Sequence, residues 1–357
     1  MIPLPRFVRL LDFEPELTAV IANAMPPTSD SKEPNHTAGP ILLFGSPRSG
    51  TTWLGKIFDS HPQTLYRHEP DSWGLLNWMP LAPDIKDAEQ YAVELRRFVA
   101  DLPASRETKV AASLPLFRKD YYNPLQQLLT RVSVSAAKVV ARGLGEVRVP
   151  SWAPANERSA RVVWKSIESV ARLGVAARVV PGARAILILR NPCGYVGSVL
   201  RGEKQKRFTG EEAASEDYGL FEVLSTTDQA RRYGIDARIA QDLHPAERMA
   251  WIWAIVNEKA IEDTKALENV RLLVYESLCA DPLNVSRELF THCNLDWNNQ
   301  TEWFLGTSTS RNKEGYYSVF KDPHESAQRW RKELDRDVQR RVMDVATRTT
   351  LAALFQE

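Results

Sequence analysis

The tightest constraint on this chain is short: the four apolar residues Ile41-Leu42-Leu43-Phe44 run directly into Gly45-Ser46-Pro47-Arg48-Ser49-Gly50-Thr51-Thr52. An uninterrupted apolar run of this length reads as a strand buried on both faces, as a parallel sheet requires. Beyond the glycine-containing turn, Trp53, Leu54, Ile57 and Phe58 fall on helical spacing, which predicts a helix over 52–60. Strand, tight turn and helix in that order make a G-x4-G phosphate frame, in which backbone N–H groups and the helix dipole converge on an anion.

The same rhythm recurs downstream. Strands are predicted at 65–70, 161–164, 185–189 and 270–275, and helices at 169–180, 244–261 and 282–293. Strands alternating with helices imply an α/β fold, a P-loop-type doubly wound parallel sheet flanked by helices, with ligands at the carboxyl ends of the strands. Residues 1–40 are expected to form an N-terminal helical arm and loop, and 41–357 a single domain. Two stretches, 84–142 and 201–260, interrupt the rhythm and are expected as helical insertions over the ligand edge. Trp73, Trp78, Trp251 and Trp253 suit either ring stacking on an acceptor or core packing.

Composition narrows the partners. Lysine and arginine number 46 against 45 acidic residues, a net charge of +1, so no global field points to nucleic acid or an anionic membrane, and any basic site must be local. Cys193, Cys279 and Cys293 are odd in number and contain no CxxC pair, so neither a disulfide framework nor a zinc site is expected. No run approaches the ~20 apolar residues of a membrane span. Arg6, Arg9, Asp12, Glu14 and Glu16 interrupt the first apolar stretches, so no secretory leader is expected and a cytoplasmic setting is.

The phosphate frame departs from that of a kinase. Thr51 stands where the Walker lysine belongs, and the cation has moved back to Arg48. Triphosphate chemistry needs that lysine and a hydroxyl-held Mg²⁺. A transferring group of lower charge is served by a guanidinium, hydroxyls and backbone donors, with no metal. A second anion clamp follows at Leu189-Arg190-Asn191-Pro192, with Ser198 expected early on the next helix.

The string Pro47-Arg48-Ser49-Gly50-Thr51-Thr52 resembles the 5′-phosphosulfate loop of sulfotransferases that use 3′-phosphoadenosine 5′-phosphosulfate (PAPS), particularly the Golgi carbohydrate and tyrosylprotein groups. Arg190 and Ser198 resemble the family's 3′-phosphate motif, R-[DN]-P-x5-S. The resemblance implies PAPS as co-substrate, with 5′ contacts from Pro47, Arg48, Ser49, Gly50, Thr51 and Thr52 and 3′ contacts from Arg190 and Ser198. Tyr275, before Glu276 at the close of the late strand, resembles a nucleotide-contacting tyrosine. Arg311, Lys313, Tyr316 and Lys321, ahead of Gln328-Arg329-Trp330-Arg331, resemble the nucleotide-covering loop, which implies donor contacts from Arg311 and Lys321.

Sulfuryl transfer to a hydroxyl needs a base, cations for the charge on the sulfuryl and leaving oxygens, and in-line placement. Glu69, in Leu65-Tyr66-Arg67-His68-Glu69-Pro70, is the candidate base and resembles the Tyr-x-x-Glu-Pro segment of Golgi carbohydrate 6-O-sulfotransferases. Its strand is expected beside the one that feeds the phosphate loop, bringing the carboxylate to the edge where Arg48 sits. His68 competes for the role, and strand alternation is expected to send the two to opposite faces. Lys165, 25 residues before Arg190, resembles the transition-state lysine of tyrosylprotein sulfotransferases, and Ser310 resembles an assisting serine there. The family implies transfer to the hydroxyl of a saccharide, peptide, lipid or small molecule. A P-loop phosphotransferase and a non-catalytic phosphoadenosine-binding relative stay open as alternatives.

Overall fold

The computed structural model describes residues 39–72, 76–150, 160–205, 218–310, 319 and 322–355, all within one compact unit. The expected arm before residue 39, Trp73, Arg311, Lys313, Tyr316 and Lys321 lie outside the described residues.

Each apolar run becomes a strand: β1 Ile41–Phe44, β2 Thr64–His68, β3 Arg161–Ser166, β4 Arg184–Leu189 and β5 Val270–Val274. All pair in parallel, in the order β2-β3-β1-β4-β5. The helices are α1 Thr51–Asp59, α2 Ala92–Asp101, α3 Thr108–Ala111 and α4 Pro124–Leu144, then α5 Leu173–Val179 and α6 Pro192–Lys204. There follow α7 Tyr218–Ser225, α8 Asp228–Arg232 and α9 Pro245–Thr264, then α10 Tyr275–Ala280, α11 Pro282–His292 and α12 Asn299–Ser310. Three more close the described chain: α13 Pro323–Gln328, α14 Trp330–Glu333 and α15 Arg336–Thr347. None of the described helices is long and apolar enough to cross a membrane.

Alternation along β1 explains why it carries no polar residue. Ile41 and Leu43 pack with Leu54, Ile57 and Phe58 of α1 and Phe290 of α11, whereas Leu42 and Phe44 face Leu95 of α2 and Leu173 of α5. Helices thus cover both faces of the sheet.

The strand order corrects one expectation. β2 does not neighbour β1; β3 lies between them, with His68 in register with Lys165 and Lys165 with Leu43. The physical reason is where the charge sits: β3 keeps Arg161 and Lys165 near its ends with Val163 and Trp164 fully buried between them, as an inner strand demands, whereas β2 carries Thr64, Arg67 and His68 in five residues and suits an edge.

The two insertions divide unequally. α2 packs on the sheet face, with Arg96 Nε donating to the Val179 carbonyl at 2.8 Å, and α3 comes down to the end of β2. α9, expected over the ligand edge, is scaffold: Trp251 and Trp253 lie in the core, and Trp253 Nε1 donates to the Arg190 carbonyl at 3.1 Å. These indoles face protein rather than an acceptor.

A buried ionic knot ties the α3 region to α1. Lys56 Nζ donates to Asp59 Oδ2 at 2.7 Å and to the carbonyls of Ser113 and Pro115 at 2.7 and 3.0 Å. Lys119 Nζ approaches Asp59 Oδ1 at 3.0 Å. Burial pushes the Asp59 carboxyl upward, but the Lys119 and Lys56 ammoniums outweigh it and hold it below the ordinary range. The contribution is therefore present at neutral pH and is lost as pH falls through that depressed value. Asp59→Asn leaves two desolvated ammoniums with no counter-charge, so urea unfolding should show a loss of about 3–5 kcal/mol. A loss under ~1 kcal/mol, the scale of an exposed pair, would refute the knot.

Candidate active site

The loops after β1 and β4 leave in opposite directions, the first toward β2 and the second toward β5, so a crevice opens between two adjacent strand ends. The phosphate loop fills it. Gly50 precedes α1 with φ +85° and leaves that helix without a side-chain cap, so the N–H groups of the first turn remain directed at the crevice. Arg48, at φ +69°, turns its side chain toward α6, where Nε donates to Ser198 Oγ at 3.0 Å. Pro47 is exposed at the loop tip, Thr51 is buried, and Ser49 Oγ is buried with no hydrogen-bond partner among the described residues. Asn257 Nδ2 supports the loop from α9, donating to Ser46 Oγ at 3.1 Å.

Arg190 leaves β4 into the same crevice. Its NH1 donates to the Arg48 carbonyl at 2.8 Å and its NH2 to the Ser326 carbonyl at 2.7 Å, while Nε is buried and unpartnered among the described residues. The Tyr275 ring lies beneath that guanidinium, 4.8 Å from ring centroid to Cζ. Tyr275 starts α10 rather than ending β5, and the shift presses its ring against Gly50. Ser198 is the seventh of the 13 residues of α6, deeper in the helix than expected. Arg201, one turn on, donates to Ser198 Oγ at 3.3 Å and lines the same cleft, as does Arg329. Sequence reading passed over Arg201, although its i+3 spacing from Ser198 puts both on one helix face.

The second half of the site lies across β3. Lys165, fully buried, donates to Glu69 Oε1 at very short range, and Lys109 Nζ of α3 stands 4.0 Å from Oε2. Glu69 therefore meets Lys165, not Arg48, while Arg67 spends its guanidinium on the carbonyls of Leu102 and Pro103. The expected opposition of His68 and Glu69 also fails. Glu69 lies one residue past β2 with φ +49°, so alternation no longer applies, and His68 Nε2 is 3.5 Å from Glu69 Oε1. His68 Nδ1 bonds the Tyr66 hydroxyl at 2.8 Å.

Burial pushes the Glu69 carboxyl up, but Lys165, His68 and Lys109 together hold it below the ordinary range. Burial and the neighbouring Lys165 draw His68 down to about 3, so its imidazole stays neutral near pH 7. Burial also lowers Lys165, against the pull of Glu69.

Asp71, another residue the sequence reading missed, pins this turn to β3. Its Oδ1 accepts from Trp164 Nε1 at 3.1 Å and its Oδ2 from the hydroxyls of Ser166 and Ser169, each at 2.5 Å. Ser310 stands apart from this cluster: it is exposed at the end of α12 with its hydroxyl 3.5 Å from the Thr307 carbonyl. Ser308, buried, instead accepts from Trp53 Nε1 of α1 at 3.2 Å. Among the described residues no group of three or more His, Cys, Asp or Glu side chains is arranged to hold a metal ion.

Fold and site define an α/β phosphate-loop protein in which arginines replace the Walker lysine. A profile of the sulfotransferase family matches residues 40–299, which span all five strands, and the chain belongs to that family. It is accordingly a transferase of sulfuryl groups. No curated protein sequence matches it. Among solved structures, it is similar to the sulfotransferase domain from the curacin biosynthetic pathway, with 16% identity, 87% of this chain and 97% of that one covered, and a TM-score of 0.44. It is also similar to the sulfotransferase domain of the Synechococcus PCC 7002 olefin synthase, at 14% identity, 89% and 98% coverage and a TM-score of 0.42. Mouse sulfotransferase SULT7A1, solved with PAP, shows 11% identity, 87% and 84% coverage and a TM-score of 0.39.

A Cβ at position 50 would lie 2.4 Å from two atoms of the Tyr275 ring, at a φ that disfavours any side chain. Gly50→Ala should therefore lower stability by more than the ~1–2 kcal/mol of the left-handed penalty alone. An unchanged denaturant midpoint would mean the loop is not held against Tyr275.

Proposed function

We propose that the chain binds PAPS between the phosphate loop and Arg190 and passes its sulfuryl group to an acceptor hydroxyl deprotonated by Glu69. The single observation that carries this reading is the buried Glu69–Lys165 pair beside the phosphate loop. The donor-side fit rests on two buried polar atoms left without partners among the described residues, Ser49 Oγ and Arg190 Nε, both belonging to the loop and clamp. Buried polar groups are usually bonded, so an unsatisfied donor in the loop and another on the clamp arginine suit an anionic ligand. Arg48, Arg190, Ser49, Ser198 and the first N–H groups of α1 hold the donor's phosphates, and Arg201 adds charge. Bound PAPS supplies the sulfur and a phosphate leaving group.

In the transfer, the acceptor oxygen forms a bond to sulfur as the bond from sulfur to the 5′-phosphate oxygen breaks. The hydroxyl proton goes to Glu69. A carboxylate held low in pKa is ionised and ready at neutral pH, and it takes the proton as the attacking oxygen becomes acidic. Protonation of Glu69 cancels its attraction for Lys165, which frees that ammonium to follow charge onto the leaving oxygen. The acceptor is a hydroxyl of a saccharide, peptide or small molecule.

Arg190→Ala should weaken PAP binding in isothermal titration by about 1.5–3 kcal/mol, the value of a hydrogen bond to a charged group. Unchanged affinity would remove the 3′-phosphate assignment.

Glu69→Gln should keep PAP affinity and lower turnover by ~10²–10⁴, the usual contribution of a positioned base. In the parent, the active carboxylate persists as pH falls past the ordinary glutamate range of ~4.3, and activity is lost only below that. His68, neutral down to about 3, should add no limb near ~6.5. Parent-rate turnover by Glu69→Gln together with a dead His68→Ala variant would transfer the base role to the histidine.

A further inference from the structure

The two oxygens of Glu69 have different surroundings. Oε1 accepts from Lys165 of β3 and has His68 Nε2 of β2 close by at 3.5 Å. Oε2 faces Lys109 Nζ across 4.0 Å. That distance is too long for a hydrogen bond, yet an oxygen seated between the two at ~2.7–2.8 Å from each closes both contacts with an angle at the oxygen of roughly 90–100°.

Lys109 is placed to make such a contact with an incoming molecule. Its side chain is 35% exposed, against 1% for Lys165, so it reaches the approach side of Glu69. Its backbone is fixed: Lys109 N donates to Glu146 Oε1 at 3.0 Å, Thr108 N donates to the Val147 carbonyl at 3.0 Å, and Lys56 anchors the segment just beyond through Ser113 and Pro115.

The geometry points to Lys109 as an acceptor-binding residue that, with Glu69 Oε2, holds the reacting hydroxyl oxygen and selects hydroxyl over amine acceptors. This rests on Glu69 being the base. A hydroxyl oxygen has one hydrogen and two lone pairs. The hydrogen passes to Oε2, one lone pair accepts from Lys109 and the other forms the bond to sulfur, while Lys109 keeps all its protons. A neutral amine has a single lone pair, so it cannot accept from Lys109 and attack sulfur together. A protonated amine is repelled by Lys109 and Lys165. The insertion that carries α3 thereby restricts the reaction to O-sulfation.

Water is the simplest hydroxyl, so hydrolysis of ³⁵S-labelled PAPS by the full chain tests this with no acceptor identified. Lys109→Met should slow hydrolysis about 10–100-fold, the loss of one charge-assisted hydrogen bond, with PAP affinity unchanged. The groups facing Glu69 are the ammoniums of Lys165 and Lys109 and the neutral imidazole of His68, with the Tyr66 hydroxyl behind His68. Removing one cation should raise the Glu69 carboxyl titration in ¹³C NMR, whereas Lys109→Arg should keep it at the parent position. Parent-rate hydrolysis by Lys109→Met, or an unmoved Glu69 titration, would overturn the role of Lys109 while an impaired Glu69→Gln leaves the base reading standing. Parent-rate hydrolysis by Glu69→Gln would instead overturn the base reading itself.

Discussion

Parallel hydrogen bonding is the constraint on which this site rests. Five strands running one way deliver five chain segments to one edge, and burial on both faces keeps charge out of the middle of the inner strands. The charged groups therefore collect where the strands stop. Lys165 sits near the end of β3, Glu69 one residue past β2, Arg190 just past β4, and Arg48 in the loop that leaves β1. Because β3 lies between β1 and β2, Lys165 stands between the phosphate loop and Glu69, the position from which one ammonium can serve both.

Burial sets the electrostatic character of the two halves. On the Glu69 side, a carboxylate and a lysine have left water together, and each lowers the cost of keeping the other ionised. Such a pair adds little net stability, but its protonation states are coupled, so a proton arriving on one changes the pull on the other. The phosphate-loop side is built differently: Arg48, Arg190, Arg201 and Arg329 line one cleft, with Glu333 and Glu325 drawing on the outer two. Guanidiniums stay charged under burial, so this half is a standing positive field, whereas the half with Glu69 and Lys165 is responsive.

Where the signal is local, the sequence was readable. The apolar run at 41–44, the glycine frame and the helical spacing of Leu54, Ile57 and Phe58 sit within twenty residues, and all three appear as expected. The placement of Arg190 and Ser198 at one cleft was equally legible, because a strand end and the following helix are covalently close. Arg201 was within reach by helix periodicity. Lys109 and Asp71 were not, since nothing in their neighbouring residues marks a partner that lies on a distant segment of the chain.

The amino-acid order by itself determined the strands, the glycine frame, the arginine that follows β4 and the family resemblance, all properties of contiguous segments. Tertiary structure alone decided that β3 separates β2 from β1, that Glu69 pairs with Lys165 rather than Arg48, and that α9 is scaffold. Lateral strand order follows from which strand can be buried on both faces at once, a competition among distant segments. The place of Glu69 follows from a left-handed residue where β2 ends, held by its N–H donating to the Lys165 carbonyl at 2.8 Å, so that side-chain alternation stops one residue before the carboxylate.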